Sequence, residues 1–221
     1  MKAKSLAILA VCACCGRDAP ATVTLFAASS LQEVASACAE EWSRRAGRPI
    51  RAQFGASSTL ATQIAEGAEA DLFVSADAAW ADRVRPADRY EWFGNRLVVV
   101  VRKEAAFTTL ADAASLALGG EAVPVGKLAH AALDRLGVTP KRVIYGANVR
   151  DVLAKVVEGA ADAGIVYATD AAVAPEVRVA MELEERTRYV VALLTPAGRD
   201  LFQSLREPWC LEIARQRGFV E

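Results

Sequence analysis

Residues 54–77 read FGASSTLATQIAEGAEADLFVSAD, and this stretch predicts the unit from which the fold is built. An extended run ends at Gly55, and Ser57 then opens an amphipathic segment that Gly67 closes. Residues 70–76 form a continuous apolar run, which is typical of a strand buried on both faces. The stretch therefore predicts strand, turn, helix and strand, the repeating unit of an α/β fold.

The turn between the strand and the helix allows two interpretations. A serine hydroxyl there caps a helix by accepting hydrogen bonds from its free backbone N–H groups. Alternatively, those N–H groups and the positive end of the helix dipole bind an oxyanion. The same strand, small-residue turn and helix recur at residues 29–30, 57–58, 125–126 and 146–149. Because ligands of open α/β sheets bind beyond the carboxyl ends of strands, four such turns predict an anion-binding cleft.

Strands and helices alternate through the whole chain, which predicts an α/β fold with mostly parallel sheets flanked by helices. Within this pattern we expect helices over residues 109–118 and 126–136, with a strand over residues 122–125 between them. A last helix is expected over residues 199–218, broken near Pro208.

The order of the elements also suggests two lobes, with the chain crossing between them twice. Residues 1–20 form a signal or lipoprotein segment in this division. Residues 21–100 and 190–221 make up lobe 1, and residues 101–189 make up lobe 2.

The first twenty residues are typical of an export signal. Lys2 and Lys4 precede a short apolar run over residues 6–11, which is too short to span a bilayer. Ala13 stands directly before Cys14, as in the cleavage box of a bacterial lipoprotein. We therefore expect an exported protein that is periplasmic or anchored to the membrane by a lipid on Cys14. Simple cleavage of the signal is the alternative.

Composition narrows the class of protein further. The chain has 221 residues, a hydrophobic fraction of 53% and a formal net charge of −1, so it has ample apolar surface for a core and no basic stripe that would indicate nucleic acid. Cys38 and Cys210 fall in predicted helices, and we expect each to be a small buried apolar residue. A disulfide between them stays open in an oxidising compartment.

Catalytic motifs are scarce in this sequence. His130 is the single histidine and falls inside a predicted helix, where a structural role is the usual one. Asp71, Asp77 and Asp170 stand at the ends of elements, where carboxylates commonly cap helices. No nucleophile elbow, phosphate loop or metal-spaced cysteine and histidine cluster is present. We therefore expect a binding protein without a cofactor, and the alternative enzyme is a small hydrolase with Ser57 as nucleophile.

Several ordered motifs resemble the bacterial periplasmic molybdate-binding proteins, which are components of ATP-driven ABC importers within the type II periplasmic binding protein superfamily. The resemblance extends from about residue 22 to the C-terminus. It rests on these segments: FAASSL at 26–31, FGASSTL at 54–60, ADLFVSAD at 70–77, GNRLV at 94–98, NVR at 148–150, GIVY at 164–167 and RGF at 217–219.

The resemblance implies a two-lobed periplasmic-binding-protein fold with the ligand in a cleft between the lobes. Carried over by motif, the ligand set is the hydroxyls of Ser30, Ser57 and Tyr167 and the backbone amides of Val125 and Val149. Val125 replaces an alanine that is more usual in the family, and only its N–H is needed.

The ligand implied is molybdate or tungstate, so the metal arrives as an oxyanion and not as a bare cation. The implied partner is an ABC permease in the inner membrane, and the protein itself is expected to be a monomer. A receptor for sulfate or another tetrahedral oxyanion is the alternative within the same class.

Overall fold

The computed structural model of the protein describes residues 21–220, so the predicted export segment with Cys14 lies outside the described residues. Eight strands alternate with helices along the described residues, as the sequence predicts, except that no helix lies between the fourth and fifth strands. The strands are β1 (Val23–Ala28), β2 (Ile50–Gly55), β3 (Leu72–Ser75), β4 (Asp88–Arg102), β5 (Leu116–Gly119), β6 (Val143–Gly146), β7 (Ala163–Tyr167) and β8 (Val177–Leu193). The α-helices are α1 (Gln32–Ala46), α2 (Ser57–Ala65), α3 (Ala78–Arg83), α4 (Pro124–Leu136), α5 (Val149–Val157), α6 (Ala168–Ala172), α7 (Arg199–Ser204) and α8 (Pro208–Gln216). Short 3₁₀ helices lie at Ser29–Leu31 and Pro196–Gly198.

The strands form a single curled sheet in the order β2-β1-β3-β8-β4-β7-β5-β6. β1 runs parallel to β2 and β3, and β5 runs parallel to β6 and β7. Between these two parallel blocks lie the long strands β4 and β8, which are antiparallel to each other and to the neighbouring strand on either side. The predicted α/β fold, mostly parallel and flanked by helices, is confirmed.

Apolar side chains gather into separate clusters on the two parallel blocks. One cluster draws all of its buried members from residues 97–183. The other two draw theirs from residues 23–93 and 189–219. Because β4 and β8 contribute to clusters at both ends, these two strands are the covalent link between the packed halves.

Two expected elements around residue 116 are wrong. Residues 109–115 form turns and no helix, and the strand lies at Leu116–Gly119. Leu116, Ala117 and Leu118 favour a helix in isolation, but here they are fully buried between β6 and β7, and tertiary packing overrides that preference. Residues 122–125 are no strand, since Pro124 starts α4 at the first helical position, where its missing N–H costs nothing.

The C-terminal helix is broken near Pro208, as expected, into α7 and α8. Cys210 of α8 is joined to Cys38 of α1 by a disulfide with a Cα–Cα distance of 5.7 Å. Both cysteines are fully buried. The expected burial of both cysteines is confirmed, and the disulfide that the sequence left open is formed; the bond ties the last helix to the first. Within residues 21–220, no helix is long and apolar enough to cross a membrane.

Candidate oxyanion-binding site

All five residues expected to bind an anion line one cleft between the two packed halves. The cleft holds about 210 Å³ of space, part of it at an open mouth. Its lining is made of small or neutral side chains and main chain, and within residues 21–220 it includes no charged side chain. The lining residues are Ala28, Ser29, Ser30, Gly55, Ala56, Ser57, Ala76, Val123, Pro124, Val125, Asn148, Val149 and Tyr167.

Ser57 is the first residue of α2, directly after β2, and is buried. The helix is capped at Ala56 without a side-chain hydrogen bond, so the capping interpretation of Ser57 is wrong. Instead its Oγ accepts a hydrogen bond of 3.0 Å from the backbone N–H of Ala76 at the end of β3. The hydroxyl proton of Ser57 is therefore available to the cleft.

Ser30 lies in the short 3₁₀ helix that follows β1 and is also buried. Its Oγ is 2.8 Å from the hydroxyl oxygen of Tyr189 on β8. Ser29 stands beside it and lines the same cleft. Ser30 follows β1 and Ser57 follows β2. These two strands are parallel neighbours, so their carboxyl ends meet at one edge of the sheet and bring the two serines to the same site.

The other half of the chain supplies backbone amides. Val125 is the second residue of α4, and since Pro124 has no N–H, the amide of Val125 is the first donor of that helix. Val149 is the first residue of α5. The Asn148 side-chain oxygen caps this helix by accepting hydrogen bonds from the backbone amides of Arg150 and Asp151, at 2.9 and 3.1 Å. The amide of Val149 is therefore left for a ligand.

Tyr167 ends β7 and is buried, and no residue in the described part of the chain offers its hydroxyl a hydrogen-bond partner. Thr187 lies close enough to lower the pKa of this phenol a little, but its hydroxyl donates to the carbonyl of Ala76. Burial dominates and raises the pKa of Tyr167 well above its ordinary value. The phenol therefore keeps its proton at neutral pH, and a buried donor without a partner indicates a missing acceptor.

Charged residues stand behind the cleft and neutralise one another. Arg150 makes ion pairs of 2.5 Å with the fully buried Asp170 and of 2.5 Å with Glu33. Burial raises the pKa of Asp170 to about 7, although the charge of Arg150 opposes this rise. Since the guanidinium is already paired with carboxylates, it is not free to ligate an anion.

Three side-chain contacts join the two halves outside the lining of the cleft. Besides the pair between Glu33 and Arg150, Lys127 of α4 lies 3.1 Å from Asp77, and the indole N–H of Trp80 donates to the carbonyl of Ala122 at 3.1 Å. These contacts tie the two halves to each other.

A hydrolytic site is not formed around Ser57. His130 lies in the middle of α4 and is not among the residues that line the cleft. The hydrogen-bond partner of Ser57 is a backbone amide, which cannot act as a base. In the part of the chain that the structure describes, no group of three or more histidine, cysteine, aspartate or glutamate side chains could hold a metal ion.

Comparison with known proteins identifies the family. The family described as bacterial extracellular solute-binding proteins matches residues 23–220. The chain belongs to this family. The solute-binding protein described here is 34% identical to the molybdate-binding protein ModA of Escherichia coli, over 90% of this chain and 88% of that relative. It is 32% identical to the putative ABC transporter substrate-binding lipoprotein YvgL of Bacillus subtilis, over 90% of this chain and 86% of the relative.

Solved structures show the same fold for this solute-binding protein. The periplasmic molybdate-binding protein of Azotobacter vinelandii matches with a TM-score of 0.76 and 19% identity, over 90% of this chain and 99% of that one. The sulfate-binding protein SubI of Mycobacterium tuberculosis matches with a TM-score of 0.78 and 16% identity, over 90% of this chain and 86% of that one. At these identities the likeness concerns the fold alone.

Three side chains at or behind the candidate site of this solute-binding protein are not among the predicted ligands: Tyr189, Asn95 and Asn148. Nothing in the spacing of Tyr189 points to the cleft, because it reaches Ser30 from a strand 159 residues later in the chain. The side chain of Asn95 donates hydrogen bonds to Thr169 and Tyr189, and its place in the GNRLV motif is the sequence signal that could have identified it. The cap at Asn148 could have been found from its place before a helix.

Proposed function

We propose that this protein is the substrate-binding component of a molybdate ABC importer and that it binds molybdate, and also tungstate, between its two lobes. The observation that carries the proposal is the convergence of five neutral donors, drawn from both halves of the chain, on one uncharged cleft. The hydroxyl of Tyr167 supports the proposal, because it is a buried donor without a hydrogen-bond partner in the described residues. The protein acts as a binding protein and carries out no catalysis.

Neutral donors suit this ligand for a physical reason. A fully deprotonated tetrahedral dianion has only acceptor oxygens, and each hydroxyl or amide around it can donate. The first turns of α2, α4 and α5 add the positive ends of their helix dipoles, and hydrogen bonds to a charged group are stronger than neutral ones. A charge spread over many partial dipoles requires no fixed cation in the cleft.

Sulfate is the alternative ligand, and the fold does not separate the two, since SubI matches as well as the Azotobacter protein. The relatives at 34% identity, which are named for molybdate, favour molybdate. Calorimetric titration with molybdate, tungstate and sulfate tests the choice. Tighter binding of sulfate than of molybdate would make this a sulfate receptor.

Ser57→Ala is expected to weaken molybdate binding about ten- to hundredfold while the fold stays intact. A lost hydrogen bond to a charged group costs about 1.5–3 kcal/mol, and about 1.4 kcal/mol corresponds to a factor of ten. Calorimetry gives the affinity, and thermal unfolding checks the fold. The matched control is Ser58→Ala, one residue further along α2 and outside the lining of the cleft, which should bind as the native protein does. Equal affinity of Ser57→Ala and the control would remove Ser57 from the ligand set.

Ligand binding is expected to close the two lobes in a hinge motion. The apolar clusters draw their buried members from residues 23–93 with 189–219 and from residues 97–183, which supports a division close to the proposed lobe 1 (residues 21–100 and 190–221) and lobe 2 (residues 101–189). We place the hinges where β4 and β8 leave one cluster for the next, at residues 94–96 and 184–188, a little earlier in the chain than the expected boundary after residue 100. Small-angle scattering should show a smaller radius of gyration with saturating molybdate, and identical curves would argue against closure.

The partner proposed for the closed form is an ABC permease in the inner membrane, and the receptor reaches it as a monomer. We propose export to the periplasm or the outer face of the membrane, with a lipid on Cys14. Mass spectrometry of the mature N-terminus should find a modified cysteine at residue 14. An unmodified chain starting near Ala19 or Ala21 would mean simple secretion.

A further inference from the structure

Behind Ser30, outside the cleft, lies a buried chain of polar side chains that the ligand set does not include. The Asn95 side-chain amide donates 2.8 Å to the hydroxyl of Thr169 and 3.2 Å to the hydroxyl of Tyr189. The Tyr189 hydroxyl in turn lies 2.8 Å from the Oγ of Ser30. All four residues are buried.

The orientation of the Asn95 amide determines the direction of every bond in this chain. Its carbonyl oxygen has no hydrogen-bond partner among the residues described, whereas its nitrogen has two hydroxyl acceptors. The reverse orientation would place the NH₂ group, with two protons, where no acceptor lies. Burying two unpaired donors costs more than burying one unpaired carbonyl oxygen, so the nitrogen faces the two hydroxyls.

The orientation of Asn95 fixes which atom donates in each hydrogen bond from Asn95 through Tyr189 to Ser30. Because Tyr189 accepts from Asn95, its single proton goes to the Oγ of Ser30. Burial raises the pKa of Tyr189 above its ordinary value, so this proton stays in place at neutral pH. Ser30 accepts from Tyr189, and its own proton has only the cleft to point into.

We propose that Asn95 and Tyr189 are positioning residues that hold Ser30 as an obligate hydrogen-bond donor, and that they thereby select fully deprotonated dianions over anions that carry a proton. The proposal rests on the anion-binding function proposed above. Ser57 is held in the same state by the N–H of Ala76, so both serines direct a proton at the ligand, and the remaining lone pair of either oxygen faces the ligand only if that proton turns away. Monohydrogen phosphate carries a proton that needs an acceptor, and this cleft provides none without turning a donor away.

The substitution Asn95→Asp tests the proposal, because a carboxylate in this place only accepts hydrogen bonds and so reverses the direction of the hydrogen bonds through Tyr189 to Ser30. Tyr189 then donates to the carboxylate and accepts from Ser30, so Ser30 turns lone pairs and not a proton to the cleft. The measured quantity is the ratio of the dissociation constants of inorganic phosphate and molybdate. At mildly alkaline pH the two anions carry the same charge, so the added carboxylate repels both alike and the ratio reports the direction of the hydrogen bond.

We expect Asn95→Asp to lower this ratio by about tenfold, the effect of one hydrogen bond made or lost. In a Tyr189→Phe background the same substitution should leave the ratio unchanged, because the link to Ser30 is cut. An equal change of the ratio in both backgrounds, or no change in either, would overturn the proposal.

A second variant keeps the test valid if Asn95→Asp does not fold. Tyr189→Phe alone should weaken molybdate binding about tenfold, since Ser30 loses the donor that fixes its proton. The control is Tyr90→Phe, a tyrosine that packs against the same apolar cluster as Tyr189 and whose hydroxyl donates to the carbonyl of Phe202, outside the lining of the cleft. It should bind as the native protein does. Native-like molybdate affinity of Tyr189→Phe would overturn the inference and leave the proposed function standing. Failure of the native protein to bind molybdate would overturn both.

Discussion

Gly126→Ala is expected to lower the free energy of unfolding by about 3 kcal/mol and to abolish measurable molybdate binding. A methyl group at this position would lie well inside van der Waals contact of the carbonyl oxygens of Gly119 and Gly120. These are backbone atoms, which cannot turn away as the end of a side chain can. Overpacking of this kind costs about 1–3 kcal/mol, and α4 must shift to relieve it.

The shift reaches the ligand because Gly126 directly follows Val125, whose amide lines the cleft. Thermal unfolding should show a midpoint lower by roughly 6–12 °C for a domain of this size, and calorimetry should show the loss of binding. Gly120→Ala is the matched control, since a methyl group there meets nothing within 4 Å. Native-like binding by Gly126→Ala would mean that the start of α4 does not carry a ligand.

Replacing Cys38 and Cys210 together by alanine is expected to lower the free energy of unfolding by about 2–5 kcal/mol, which is roughly 10 °C in the unfolding midpoint. The bond closes a loop with a sequence separation of 172 residues, so it restricts the unfolded chain strongly. It also fixes α8 against α1, which packs beside the strand that leads to Ser30. Molybdate affinity measured well below the midpoint should change little, because neither cysteine lines the cleft.

A reductant provides the control for this prediction. It should lower the midpoint of the native protein toward that of the double variant and leave the variant unaffected. A native protein that is insensitive to reductant after unfolding and refolding would mean that the cysteines are free. Export to an oxidising compartment, which is the proposed location, would keep the bond formed.

The strand and helix pattern could be predicted wherever local preference and burial agree. The stretch at residues 54–77 folds as its pattern indicates, with β2, α2 and β3 in order. The helix predicted over residues 109–118 is wrong because Leu116, Ala117 and Leu118, although good helix formers, lie in a strand inside a parallel block of the sheet. The strand predicted over residues 122–125 is wrong because Val123 and Val125 favour a strand, whereas Pro124 occupies the first position of a helix.

The candidate donors could be predicted from repeated turns and from the resemblance of short motifs, since each donor lies at a strand end or a helix start. Ser30, Ser57, Val149 and Tyr167 could therefore be selected as candidates without a structure. Their proximity in space could not be predicted, because β1, α5 and β7 are brought together by a sheet whose middle strands, β4 and β8, are neighbours only in the folded chain.

The sequence by itself determined the α/β class, the succession of small-residue turns and the absence of charged residues from them, because these are properties of neighbouring residues. Only the tertiary structure decided which groups face these turns. Whether the Ser57 hydroxyl caps its helix depends on the groups around its oxygen, and folding brings the amide of Ala76, from another strand, to that oxygen. Likewise the direction of the hydrogen bond at Ser30 depends on Tyr189 and Asn95, which only folding places behind it. Hydrogen bonds act over about 3 Å, and contacts at that distance between residues far apart in the chain exist only after the chain has folded.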